Sequence, residues 1–251
     1  MNVSFYLINL DSSVERLSKA DAELSAQDIH YTKISAVDGR QMDLSSYSNY
    51  DDKKAHAFTG RALLGAEIGC YLSHQKAVEA FLASGANYGV VLEDDLKLSC
   101  DLGANVFELL KWLEENQHSD WHLIHLAAQK KKLSAKITQL GQHELLHAYY
   151  FPTLTTGLLW SKKGAEAFLT RVTSQPIYAP IDVELQAWLS KTGQGLSVYP
   201  ALVGSTGLDS EIDASAATNH QKRLRKDRFL PRQKRMWLNK CYALKHLLVN
   251  K

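Results

Sequence analysis

The run Tyr88-Gly-Val-Val-Leu-Glu-Asp-Asp-Leu-Lys-Leu98 ends an apolar stretch in three consecutive carboxylates, Glu93, Asp94 and Asp95. Like charges this close repel one another, and their sum favours a hard divalent cation with oxygen ligands, Mg²⁺ or Mn²⁺. A cation held there bridges phosphates and neutralises a departing diphosphate. The short apolar run from Gly89 to Leu92 reads as a buried strand. That puts the acids at the carboxyl edge of a sheet, where open α/β folds place their ligands. A solvated acidic turn is the plain alternative for an isolated Glu-Asp-Asp.

Two more residues have types that suit a ligand. Asp38 closes the segment Tyr31-Thr-Lys-Ile-Ser-Ala-Val-Asp-Gly39. An acid at the end of a second parallel strand can accept a hydrogen bond from a ribose hydroxyl or a base. Arg16 falls in the first turn of a predicted helix, where the macrodipole disfavours a cation, and this invites a ligand explanation beside that of a surface arginine.

The elements that must position these groups follow from the pattern. Val3 to Leu10 is nearly continuous apolar sequence, a strand covered on both faces rather than a signal peptide. Ser12 and Glu15 have capping-box spacing ahead of a helix carrying Val14, Leu17 and Leu24. Residues 41 to 60 lack a period and read as an irregular loop. Tyr71, Val78, Phe81 and Leu82 share one face of a helix that Gly85 ends, and the acidic strand follows directly. Leu102 to Asn116 is predicted to be helical, as are the segments from Ser161 to Val172 and from Val183 to Lys191. Asp120 to Leu126, His143 to Phe151, Leu154 to Trp160 and Gly195 to Val203 are expected strands, and Gly204 to Asp213 is a polar stretch. The alternation argues for an α/β domain with a mostly parallel central sheet.

Composition narrows the classes. The 251 residues suffice for a sizeable core. Cys70, Cys100 and Cys241 are scattered without Cys-x-x-Cys, which points away from a disulfide framework or zinc site and towards a reducing compartment. No run approaches a membrane span. Gly-x-Gly-x-x-Gly after the first strand, the P-loop, Gly-x-Ser-x-Gly and His-Glu-x-x-His are all missing. The net charge of +2 hides an asymmetry: His220 to Lys251 holds eleven Lys/Arg against one acid, or +10, while the remainder carries 18 against 26, or −8. The reading is a body over 1–218 and a basic tail over 219–251 with different partners.

Four motifs stand in order: a strand with Asn-Leu-Asp-Ser-x-x-Glu-Arg16, then Ala-Val-Asp-Gly39, then Gly-x-Glu-Ile-Gly-Cys-x-x-Ser-His74, then Leu-Glu-Asp-Asp95. Together they resemble glycosyltransferase family 25, the lipooligosaccharide-biosynthesis enzymes related to the collagen galactosyltransferases. The similarity continues through Thr156-Gly157, Pro180-Ile-Asp182 and Tyr199-Pro200, to about residue 213. The resemblance implies a GT-A-type fold and inverting transfer of a hexose, galactose before glucose, from a UDP-sugar to a lipooligosaccharide or lipopolysaccharide core. It implies that Asn9, Leu10, Arg16, Asp38 and Gly39 flank the uridine. Glu93, Asp94 and Asp95 then form the metal and diphosphate motif, with Glu67, Ser73 and His74 beside it. The family signature is Asp-x-Asp, whereas Glu93 and Asp95 fill that spacing here, so Asp95 is the leading metal ligand and Glu93 its candidate partner.

Inverting displacement needs a base for the acceptor hydroxyl. Asp182 and Glu184 stand at a helix start after a proline-rich loop, with a capping role as the other reading of Asp182; Glu67 is a further candidate. In the tail, Trp237, Cys241, Leu244 and Leu248 form one helical stripe with Lys234, Lys240 and Lys245 outside it, set off by Pro231. A basic amphipathic helix suits an anionic membrane surface, here the cytoplasmic face of the inner membrane, or else packs on the catalytic domain. Two other classes compete: a metal-dependent sugar-nucleotide or nucleotidyl transferase, and a nucleic-acid-binding protein acting through the tail. The first usually has a glycine-rich basic loop where Asp11-Ser-Ser13 stands, and the second is opposed by the acidic body. No nucleic-acid partner is expected.

Overall fold

A computed structural model describes residues 1–206 and 229–249. The expected body–tail boundary, the polar stretch beyond Thr206 and the segment from His220 to Arg228 lie outside the described residues. The elements run β1 (Val3–Asn9), α1 (Val14–Ser25), β2 (Tyr31–Ser35), α2 (Asp52–Thr59), α3 (Gly65–Ala83), β3 (Tyr88–Glu93), β4 (Leu96–Leu98) and α4 (Leu102–Glu115). They continue β5 (Leu123–His125), β6 (Ala135–Leu140), β7 (His143–His147), β8 (Gly157–Ser161), α5 (Lys162–Ser174), α6 (Ile181–Thr192), β9 (Gly195–Tyr199), β10 (Val203–Ser205) and α7 (Phe229–Val249).

Eight strands make one sheet in the order β2-β1-β3-β8-β5-β9-β7-β6. β1 lies parallel to β2 and β3, and β5 to β9, whereas β8 and β7 run against both neighbours. Six strands therefore share one direction, the mostly parallel α/β sheet expected, with two reversals. Helices cover both faces, which explains the unbroken apolar runs of β1, β3 and β8. Ile68, Tyr71, Val78 and Phe81 of α3 pack with Phe168 of α5 and Leu185 and Leu189 of α6 on one face. Leu24 of α1 and Val106, Leu109, Leu110 and Leu113 of α4 fill the other.

Several local expectations change. Ser13, not Ser12, is the N-cap of α1 and makes no side-chain capping bond, so no capping box forms; Glu15 instead takes Lys19 at 2.7 Å. The supposed irregular loop contains α2, capped by Asp51 accepting from Lys54 N at 2.8 Å and ended by Gly60 at φ 82°. Ser161 is the N-cap of α5, accepting from Gly164 N at 3.0 Å.

The tail helix α7 docks along α6 and α2. Its inner face is not the expected stripe. Asn239 and Ala243 are buried, Arg235 Nη1 donates to Phe58 O at 2.7 Å, His246 Nε2 lies 3.1 Å from Lys191 O, and the His246 ring stacks on Tyr149. Trp237, Leu244 and Leu248 are 65%, 48% and 76% exposed, and Cys241 is exposed too. Pro231 sits inside the first turn of α7 rather than separating it, at a position whose missing N–H has no helical partner to lose.

Candidate active site

β1, β2 and β3 end side by side, and the loops leaving them meet the start of α3. There Asn9, Leu10, Arg16, Asp38, Gly39, Ser73, His74, Glu93, Asp94 and Asp95 line one cleft. The residues expected at the donor thus converge, together with both expected metal ligands. The cleft also takes in Arg40 and Cys70.

The glycines of the Gly-x-Glu-Ile-Gly motif make this possible. A Cβ on Gly39 would stand 1.9 Å from Gly65 O, and one on Gly69 would stand 2.4 Å from Val37 O. Only bare backbone lets α3 press this closely on the loop leaving β2. Ser73 Oγ then accepts from Val37 N at 2.8 Å and pins that loop. Asp38 projects at its tip with Arg40 at 2.6 Å, whose hydrogen bonds pull the Asp38 carboxyl down to about 2.

The three consecutive acids have three different settings. Asp94 takes Asn9 Nδ2 at 2.6 Å and an ion pair from Arg16, which ties the β1–α1 loop to the end of β3. Arg16, whose odd position suggested a ligand, already has Asp94. Burial still raises the Asp94 carboxyl, with Asp95 and Glu93 adding to it against Asn9 and Arg16. Glu93 is held through one oxygen: Oε1 receives Thr155 Oγ1 at 2.6 Å and His74 Nε2 at 3.0 Å. Burial pushes Glu93 up, but His74, Thr155 and Arg16 outweigh it and leave the carboxyl below its usual value. Asp95 Oδ2 accepts from Ser205 Oγ at 2.7 Å, while its Oδ1 is buried with no hydrogen-bond partner among the described residues. Burial, with the Glu93 charge, raises Asp95. The β4–β10 pair holds this turn, since Thr206 N donates to Asp95 O at 2.8 Å.

A loop that the motifs do not include supports Glu93 from behind the strand end. Leu154 adopts φ 78°, an unfavourable conformation for a branched side chain. The buried His125 ring holds it, Nε2 lying 3.0 Å from both Thr153 O and Leu154 O, and burial drives His125 down to about 4, so it is neutral. The loop delivers Thr155 to Glu93 and the Leu154 N–H to Asp182 Oδ2 at 3.5 Å. The available signal was a histidine inside an otherwise apolar strand.

The three candidate bases separate. Asp182 is the second residue of α6; the N-cap is Pro180, so Asp182 does not cap. Its described bonds come from backbone, Val183 N at 2.8 Å and Leu154 N at 3.5 Å. Burial raises its carboxyl, and the charges of Glu67 and Glu93 raise it further. Glu67 is committed: Arg61 grips both its oxygens, one at 2.6 Å, and Leu64 N donates at 2.8 Å, closing the start of α3. Glu184 does not line the cleft. It is 3% exposed and receives Tyr71 Oη at 3.0 Å and Arg171 Nη2 at 3.3 Å, inside the helical layer and not on the cleft.

A divalent cation fits the acidic edge on its donor chemistry. Asp95 Oδ1 is an orphaned buried oxygen, and Glu93 directs its described protein bonds to Oε1 only. Among the described residues, Cys70, His74 and Glu93 bring ligand atoms within 4.8 Å of one another. Burial and the Glu93 charge hold the Cys70 thiol protonated, and its Sγ donates to Glu93 Oε1 at 3.9 Å. A neutral thiol beside a hard carboxylate suits an oxygen-seeking cation at Glu93 and Asp95 better than a soft ion at Cys70.

An α/β sheet with acids at the carboxyl edge of the strand beside β1 is the arrangement expected of a GT-A-type fold. The chain belongs to glycosyltransferase family 25: the model of that family, described as an LPS biosynthesis protein, matches residues 2–184. Procollagen galactosyltransferase 1 of Danio rerio is 24% identical over 240 residues, covering 86% of this chain and 39% of that protein. The inactive glycosyltransferase 25 family member 3 of Homo sapiens is 27% identical over 188 residues, covering 71% and 30%. The chain thus spans well under half the length of these relatives. A glycosyltransferase involved in glycosylation of the major capsid of PBCV-1 covers 90% of this chain and 100% of its own, at 9% identity and a TM-score of 0.42, a likeness too slight to argue from.

Proposed function

We propose that this protein is an inverting hexosyltransferase that moves galactose, or failing that glucose, from a UDP-sugar to a lipooligosaccharide or lipopolysaccharide core acceptor. The observation that carries this reading is the cleft itself. The donor-side residues converge on it. Asp182 does not line it, but is a raised carboxylate with no ion pair among the described residues, within reach of the Glu93 charge and tied through Leu154 N to the loop whose Thr155 holds Glu93. Galactose is favoured by the name of the zebrafish relative, and the acceptor class by the family description.

Asp38 and the β1–α1 loop hold the nucleoside. Asn9 and Arg16 keep Asp94 in place, and His74 and Thr155 fix Glu93. Mn²⁺ or Mg²⁺ held by Glu93 and Asp95 would supply charge neutralisation at the diphosphate. Asp182 takes the proton of the acceptor hydroxyl as its oxygen bonds to the anomeric carbon, and the bond from that carbon to the diphosphate oxygen breaks on the opposite face. A raised pKa improves this base, provided it is ionised at the working pH.

Among the described residues no helix is long and apolar enough to cross a membrane. The outward stripe of α7, Trp237, Leu244 and Leu248 with Lys234, Lys240 and Lys245 around it, supports peripheral attachment to an anionic membrane, the inner face of the inner membrane in this reading. The test is a donor screen with purified protein, UDP-galactose, UDP-glucose and UDP-N-acetylglucosamine, Mn²⁺ and truncated lipooligosaccharide. Transfer from UDP-galactose with a β-anomeric product supports the reading. No turnover of any UDP-sugar, or a retained α-linkage, rejects it.

A further inference from the structure

Cys70 and His74 stand one turn apart on α3, so their side chains share a face of the helix. Opposite them is Glu93, the last residue of β3. Glu93 Oε1 lies 3.0 Å from His74 Nε2 and 3.9 Å from Cys70 Sγ, and all three ligand atoms fall within 4.8 Å of one another. The three residues also line the cleft, Cys70 and Glu93 partly exposed and His74 buried. A cation at Glu93 and Asp95 uses only one of these groups. The thiol and the imidazole are left over.

Their spacing suits an ion of another kind. A tetrahedral zinc ion, with bonds of about 2.0 Å to nitrogen and oxygen and about 2.3 Å to sulfur, holds its ligand atoms roughly 3.3–3.5 Å apart. The observed separations lie on both sides of that spacing, so shifts of about an ångström would close the set around one ion. Sulfur and nitrogen beside a single oxygen suit zinc better than Mg²⁺ or Mn²⁺, which take oxygen sets. His74 Nδ1 has no hydrogen-bond partner among the described residues, so the ring can carry its proton there and offer Nε2 without breaking another bond. The Cys70 thiol keeps its proton beside a hard cation, but a thiol that coordinates zinc loses it outright.

We propose that Cys70, His74 and Glu93 form a second cation site, which takes a thiophilic ion such as Zn²⁺ and thereby withdraws Glu93 from the ion it shares with Asp95. The Cys70 S–H bond breaks, its proton passes to solvent and a Zn–S bond forms, with no change of oxidation state. The fourth position of the zinc faces the cleft. Because both ions need Glu93, they exclude one another, and Zn²⁺ inhibits. The cation site stands on the geometry alone, whereas the inhibition rests on the transferase reading above.

The test uses the full-length protein and Co²⁺, a coloured substitute for Zn²⁺. Wild type is expected to bind about one Co²⁺ per chain with a thiolate-to-cobalt charge-transfer band, which Zn²⁺ bleaches and excess Mg²⁺ does not. Cys70→Ser should remove the band, and His74→Ala should weaken Co²⁺ binding by at least about tenfold. Cys100→Ser, Cys241→Ser and Asp95→Asn should all keep the band. In wild type Zn²⁺ should also shield Cys70 from iodoacetamide, read on the peptide that carries it. No charge-transfer band and no shielding in wild type overturn the site even if the variants fail to fold. So does a band that survives in folded Cys70→Ser. With UDP-galactose and acceptor, Zn²⁺ should stop transfer and added Mn²⁺ should restore it, while transfer that continues with the Zn²⁺ site filled overturns the inhibition. No turnover in the absence of Zn²⁺ would instead overturn the transferase reading, and the cobalt band still judges the site.

Discussion

Two places, the end of β3 and the start of α6, handle their carboxylates differently. After β3 Asp94 is spent on structure, with Arg16 and Asn9 closing over it. At the start of α6 Asp182 has backbone donors only, and Asp95 beside Asp94 keeps one buried oxygen unmatched. All three acids are raised by burial, so burial does not tell them apart. What differs is the partner. An acid answered by a protein cation holds two elements together, and an acid left without one is open to a ligand's charge or an acceptor's proton. Glu67 and Glu184 fall on the first side with Arg61 and Arg171.

Exchanging the roles of paired and unpaired acids by mutation tests this contrast. Asp95→Asn is expected to cut turnover by about 10²–10³-fold, and EDTA should act in the same direction on wild type. A rate untouched by both would remove the metal from the account. Glu184→Ala is expected to do the reverse: about 2–4 kcal/mol of stability lost in urea unfolding, since it strands Arg171 and Tyr71, with kcat within a few-fold of wild type. Replacing Trp237, Leu244 and Leu248 together by serine should abolish sedimentation with anionic liposomes while the Tm moves by only a degree or two, because none of the three packs on the body. A large drop in Tm would mean that the stripe belongs to the core.

The smallest effect concerns stability and pH. The folded-state pKa of Asp95 lies above its ordinary value of 3.8. Its stabilising contribution is therefore complete below pH 3.8 and lost as pH rises through the folded value. At neutral pH the ionised side chain weighs against the fold, so Asp95→Asn should melt at or slightly above wild type at pH 7, the difference shrinking towards pH 4. A clear drop in Tm at pH 7 would make Asp95 a structural acid like Asp94.

The donor end was legible in the sequence because its residues are local to strand ends and motifs. Asn9 and Glu93 end the apolar runs that are β1 and β3, Asp38 follows β2 by three residues, and His74 belongs to the motif that opens α3. The reversal of β8 was not legible, since a five-residue strand buried on both faces carries no mark of direction. α2 was missed because its eight polar-rich residues give little period, although Asp51 and Gly60 were there to bound it. The surroundings of Asp182 depend on distant contacts: Thr155 reaches Glu93 across 62 positions and Arg235 reaches Phe58 across 177. α7 shows the limit most clearly. Its apolar stripe was read correctly as a stripe, yet the face that docks is Arg235, Asn239, Ala243 and His246, whose polar groups find the Phe58 and Lys191 carbonyls and the Tyr149 ring.

The central claim is that the unpaired acid, not the paired one, does the proton transfer. Single-turnover transfer from UDP-galactose to core oligosaccharide, measured for Asp182→Asn and Glu67→Gln beside wild type, tests it most directly. The account predicts a fall of about 10²–10⁴-fold for Asp182→Asn at unchanged UDP affinity, against less than about tenfold and a lowered Tm for Glu67→Gln. The opposite ranking, with Asp182→Asn near wild type and Glu67→Gln inactive but fully folded, would contradict it.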